Sequence, residues 1–310
     1  MTETTKHDAW SAGDSYDAYM GRWSRKMAAR FLDWLKPAEN LDWLDVGCGT
    51  GALSSVVLSR CHPRSLVGIE QSAGFVATAQ RNIDDKRARF EVGDAQNLPL
   101  DDQSRDIVAS ALVLNFVPDI PKALSEMKRV VRPGGTVAFY VWDYPGGGMG
   151  FMRAFWNAAI ALDPAVASDF AEGKRFPFCT AAGLSELVTN AGLQSVECTA
   201  IEIPTIFSDF DDFWRPFTLG AGPAPGYCVS LPAEAREKLL GFGHPALKAV
   251  QPAPAKPDAV DATLGPHLRR PPAVPPPGSA PPPPPPHPPP PPPPPAPPPP
   301  PPPPHPPPSP

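Results

Sequence analysis

Short apolar runs alternate along the chain with stretches whose apolar positions recur at helical spacing. That alternation predicts βα units around a parallel sheet. Strands are expected over 41–46, 65–70, 88–92, 105–110 and 136–142, and helices over 52–60, 74–83 and 121–131. Ahead of the first strand, Trp23, Met27, Phe31 and Leu35 are spaced four apart, one face of an amphipathic helix lying on the sheet. Arg132-Pro133-Gly134-Gly135 reads as a stop between the last of these helices and the fifth strand.

Beyond the fifth strand the pattern loosens. Helices are expected over 151–162 and 180–191, the second capped by Thr180 and ended by Gly192. Residues 193–203 alternate apolar and polar and predict a sixth strand, and 231–240 reads as a last, charged helix. From Gly241 onward prolines interrupt every candidate element, and 31 of the final 40 residues are Pro. Such a stretch builds no core and is expected to be disordered polyproline II.

The predicted architecture is therefore α/β: a doubly wound, Rossmann-like, mostly parallel sheet with helices on both faces and a small helical insertion. Residues 1–40 form an N-terminal lid and helix, 41–240 the ligand-binding domain with insertions over 144–179 and 205–230, and 241–310 the proline-rich tail. Nothing after the helix at 231–240 offers a full seventh strand, so its loss is expected. The change near Gly241 is abrupt enough to read as a translated wrong frame in place of a native C-terminus.

Composition removes several function classes. The formal net charge of -5 and a pI near 5.7 speak against a nucleic-acid partner. The five cysteines have no paired spacing, which predicts neither disulfides nor a metal site. The longest apolar run, 107–117, is interrupted by Ser110 and Asn115 and is too short to span a bilayer. A cytoplasmic protein is expected.

The chemistry concentrates in Leu44-Asp45-Val46-Gly47-Cys48-Gly49-Thr50-Gly51, a glycine-spaced turn between a strand and a helix. Glycines there admit a close ligand, and the helix start presents free N–H groups. Glu70 ends the second strand, where a carboxylate can accept from both hydroxyls of a ribose. Asp94, just past the third strand, can accept from an exocyclic amine, and Leu112, at the end of the fourth, can cover the ligand.

In that order, with Gly93-Asp94-Ala95 and Arg132-Pro133-Gly134-Gly135, these motifs resemble those of class I S-adenosylmethionine-dependent methyltransferases. The similarity is to the small-molecule subgroup that includes ubiquinone and menaquinone biosynthesis methyltransferases, over about residues 10–240. It implies that Asp45, Gly47 and Gly49 surround the methionine part of the cofactor, that Glu70 holds the ribose with Gln71 beside the adenine, and that Asp94 and Ala95 face the adenine edge. The segment around Tyr19 and Arg22 resembles that subgroup's lid, which implies that these two side chains reach the cofactor carboxylate.

Two other readings remain open. Gly47, Gly49 and Ala52 also satisfy the dinucleotide fingerprint of an NAD(P)-dependent oxidoreductase. Asp45 inside the preceding strand would repel a pyrophosphate, however, and Asp94 has no duty in that motif. The tail could also serve as a ligand for polyproline-binding domains. For the acceptor, the aromatic-rich insertions predict a small lipophilic or aromatic molecule. No residue stands out as a catalytic base: Asp143 and Tyr144 end the fifth strand, where turn roles are common, and the histidines lie in loops or the tail.

Overall fold

The computed structural model describes residues 20–145, 148–220, 222–250 and 267–268. Tyr19 and nearly all of the tail lie outside the described residues. Strands β1 (Asp42–Val46), β2 (Ser65–Glu70), β3 (Ala88–Val92), β4 (Arg105–Ala111) and β5 (Val131–Tyr140) pair in parallel in the order 3-2-1-4-5. The order reverses between β1 and β4, and open α/β sheets take their ligands in the crevice at such a reversal.

The intervening helices are α1 (Arg22–Leu35) before the sheet, α2 (Ala52–Arg60), α3 (Ala73–Asn82) and α4 (Ile120–Val130). Successive residues of each strand feed opposite cores. Trp43, Leu66, Ile107 and Ala138 pack with Met27 and Phe31 of α1, and Leu44, Val67, Val108 and Val137 pack with Leu124 and Met127 of α4. This doubly covered sheet explains why β1 is buried at all five positions. The four-spaced stripe of α1 is the face that is buried, with Trp23, Met27 and Phe31 no more than 1% exposed.

After β5 come α5 (Gly150–Leu162), α6 (Pro164–Phe170), α7 (Glu172–Arg175), α8 (Ala181–Asn190), α9 (Phe210–Trp214), a 3-10 turn (Arg215–Leu219), α10 (Pro223–Ser230) and α11 (Ala233–Val250). Thr180 caps α8 by accepting the Gly183 N–H at 3.2 Å, as its sequence suggests. The two insertions are one aromatic layer: Phe155 stacks on Phe217 at 4.3 Å between ring centroids, and Phe207 meets Trp23 of α1 edge-on at 5.7 Å.

Four expectations need correction. Arg132–Gly135 is not a stop before β5 but an outward bulge within it, since Val131 pairs with Arg105 and Thr136 with Ile107. A Cβ at Gly135 would stand 2.6 Å from the Asp106 carbonyl oxygen, so the bulge needs a glycine. The sixth strand is only β6 (Val196–Glu197), paired among the described residues with β7 (His267–Leu268). β7 runs antiparallel between β5 and β6, so the seventh strand is reduced rather than lost. The last helix also runs past Gly241 to Val250, through two glycines and a proline that disfavour helix.

Candidate functional site

The turn after β1 opens into a cavity of about 260 Å³ at the carboxyl ends of the parallel strands. Gly47 has φ +70°, and a Cβ there would collide with the Val113 side chain. Gly49 differs: it has φ +55°, lines the cavity, and a Cβ there would meet nothing within 4 Å. Its missing side chain is room for a ligand. The start of α2 carries no side-chain cap, and Thr50, Ala52 and Leu53 at that start line the same opening.

Glu70 lines the cavity with both carboxylate oxygens already oriented. Oε2 accepts the Gly49 N–H at 3.1 Å and Oε1 accepts the Ser72 N–H at 2.9 Å. Burial raises its pKa, opposed by those N–H groups. A carboxylate so held keeps lone pairs for two further donors. Asp94 is fixed at Oδ1 by the Gln96 backbone N–H at 2.8 Å, and contacts from Gln96 lower its pKa. Gln71, Ala95 and Leu112 line the same cavity. Leu112 is held at φ +62°, unusual for a bulky residue, with its N–H donating to the Tyr140 carbonyl at 2.8 Å.

Asp45 stands behind the turn rather than on the cavity wall. It is buried, and its Oδ2 accepts the Ser54 hydroxyl at 2.6 Å, while Oδ1 has no partner among the described residues. Burial pushes its pKa up to about 7, and the charge of Glu70 adds to the rise. An orphaned carboxylate oxygen under a glycine turn suits a ligand with a cationic end and disfavours a pyrophosphate.

Arg22 does not reach the cavity. Its guanidinium donates to Asp212 Oδ1 at 2.7 Å and lies over the rings of Trp23 and Phe207 at 4.6 and 4.8 Å. It ties α1 to the aromatic layer, a role visible only once the two are folded together. Tyr19 lies outside the described residues, although its neighbour Met20 lines the cavity.

The opposite end of the cavity belongs to the insertions and the end of β5: Trp142, Tyr144, Met149, Met152, Glu172 and Pro223. Glu172 has no counterpart in the sequence expectations. In the chain it is followed by Gly173-Lys174-Arg175, which reads as a solvated charge run. In the fold it is 2% exposed and accepts the indole N–H of Trp156 at Oε2. Of Asp143 and Tyr144, Tyr144 lines the cavity.

Residues 44–139 match the family model described as a methyltransferase domain. Among curated proteins, the chain is 42% identical over 96 residues to the demethylmenaquinone methyltransferase of Roseiflexus castenholzii, covering 31% of this chain and 40% of that one. It is 34% identical over 128 residues to the malonyl-[acyl-carrier protein] O-methyltransferase of Pectobacterium atrosepticum, covering 41% and 49%. The chain thus spans about half or less of the length of these relatives. A solved structure described as a methyltransferase from an antibiotic biosynthesis pathway of Anabaena variabilis shares the fold, with TM-score 0.56 and 18% identity over 78% of this chain and 96% of that one.

Proposed function

We propose that this chain, whose residues 44–139 form a class I S-adenosylmethionine-dependent methyltransferase domain, moves a methyl group onto a small apolar or aromatic acceptor. The observation that carries this reading is one cavity shared by the glycine turn, Glu70 and Asp94 at one end and by aromatic side chains at the other. S-adenosylmethionine supplies an activated methyl whose leaving group is a neutral thioether, so no acid is needed to assist departure.

On this reading the chain's own residues do three things. Gly49 and the start of α2 take the amino-acid end, with buried Asp45 beneath its ammonium. Glu70 accepts from the ribose hydroxyls, and Asp94 from the adenine edge, with Gln71, Ala95 and Leu112 against the base. Trp142, Tyr144, Met149 and Met152 exclude water from the acceptor and hold it in line with the methyl, the contribution that matters most for such a displacement.

Calorimetric titration with S-adenosylmethionine, S-adenosylhomocysteine and NAD tests the assignment. Micromolar binding of the first two and none of NAD is expected. Glu70→Gln, which keeps the side chain's shape but loses one acceptor oxygen, should weaken binding about 10- to 100-fold, the equivalent of charge-assisted hydrogen bonds worth about 1.5–3 kcal/mol. Unchanged affinity in a folded Glu70→Gln protein would remove the ribose assignment.

A further inference from the structure

We propose that Gln96 is a positioning residue for base recognition: its amide holds Asp94 as an acceptor-only carboxylate, so that the site takes 6-amino purines and refuses 6-oxo ones. This rests on the methyl-transfer reading above, in which Asp94 faces the adenine edge, and it makes that edge contact depend on a second side chain.

Gln96 lines the cavity with Asp94, Val117 and Pro118. Its side chain spans two elements. Nε2 donates to Asp94 Oδ1 and Oδ2 at 3.1 and 3.2 Å, and Oε1 accepts the Asp119 N–H at 3.1 Å. Asp119 in turn caps the start of α4, its Oδ1 accepting the Lys122 N–H at 3.0 Å. Only one orientation of the amide satisfies both ends. A backbone N–H can only donate and an ionised carboxylate can only accept, so turning the amide over would break both contacts.

The consequence falls on Asp94. Donation from the backbone and side chain of Gln96 favours its charged form, and the charge of Lys122 adds to this. A carboxylate without a proton can receive an N–H from an exocyclic amine but has nothing to give a carbonyl oxygen. A 6-oxo purine would set acceptor against acceptor, and that mismatch is what a polar site rejects most strongly.

The loop beyond Asp94 has its own supports. The Leu98 N–H donates to Glu126 Oε2 at 2.8 Å, and Arg129 donates to the Leu98 and Leu100 carbonyls at 3.0 and 2.8 Å. These contacts with α4 hold the backbone, so the Gln96 side chain can be changed without releasing the loop.

The test is calorimetric titration of the full chain with S-adenosylhomocysteine and S-inosylhomocysteine, which differ in the amine or carbonyl at position 6 of the purine. The wild type should prefer the adenosyl compound by about 10- to 100-fold, the range of one charge-assisted hydrogen bond. Gln96→Met keeps the length of the side chain without its polar end. It should weaken the adenosyl compound by about fivefold or more and change the inosyl compound less than twofold. Gln96→Glu still accepts from Asp119 but sets a second carboxylate against Asp94. Two carboxyls in contact share a proton, which a carbonyl can accept, so the preference should fall to within about threefold. Equal weakening of both compounds in the two variants, total loss included, would make Gln96 a structural residue and overturn the proposal. So would a preference that neither variant alters. A wild type that binds neither compound removes the methyl-transfer reading itself. One that binds both alike, or an Asp94→Asn variant that keeps the wild-type preference, removes the assignment of Asp94 to the base and this proposal with it.

Discussion

Asp45 carries an electrostatic cost that the cofactor would relieve. In the native protein its carboxyl holds a proton up to about pH 7, whereas in an unfolded chain it ionises near the ordinary carboxylate value of 3.8. Between those two values the native state binds more protons than the unfolded one, so stability falls as pH rises across that window and levels off above it. The slope is at most about 1.4 kcal/mol per pH unit for one group. Asp45→Asn, whose amide oxygen can still accept from Ser54, should lack this component. Urea midpoints at pH 5 and pH 8 measure it: the wild type should lose more stability on going to pH 8 than the variant. A difference between the two proteins that does not depend on pH would show that Asp45 ionises normally. Because a cationic ligand favours the ionised carboxylate, cofactor affinity should rise through pH 7 in the wild type and stay flatter in Asp45→Asn.

The glycine turn shows how much one element of sequence can say. Its spacing fixed the position of β1, the start of α2 and the ligand end of the sheet, because only glycine meets left-handed angles and a close ligand together. What each glycine is for required the fold. Gly47→Ala sets a Cβ against Val113 at φ +70° and should cost about 1–3 kcal/mol, seen as a thermal midpoint lowered by several degrees. Gly49→Ala places its methyl in open space at φ +55°, so its stability loss should be smaller, about 1 kcal/mol, while cofactor affinity drops at least about tenfold. Scanning calorimetry and ligand titration of the two variants separate these roles, and equal effects of both on affinity would contradict them. Elements that depend on a partner were less legible. The alternation around Val196 and Cys198 has the period of a strand, yet among the described residues only Val196 and Glu197 pair, opposite Leu268 and His267. Arg22, read as a cofactor contact, instead meets Asp212, which is 190 residues away in sequence.

At the scale of the molecule, the parallel half was readable because each strand and helix there carries its own period. The aromatic layer was not, since its residues converge from separate segments without a repeating pattern. Phe155 is its hub: 1% exposed, stacked on Phe217 at 4.3 Å and in edge contact with Trp156 and Tyr227 at 5.2 and 6.5 Å. Trp156 in turn holds Glu172, so Phe155 reaches the acceptor end of the cavity through one neighbour. Glu70 and the glycine turn are instead held to each other at the strand ends, through the N–H groups of Gly49 and Ser72. Phe155→Ala should therefore cost about 3–5 kcal/mol of stability. At a temperature where the variant remains folded, its affinity for S-adenosylhomocysteine should change less than threefold while KM for the acceptor rises about tenfold or more. Binding and transfer assays on the same sample decide this. Parallel losses of both affinities would mean that the aromatic layer and the sheet act as one unit, with the cofactor end no more independent than the acceptor end.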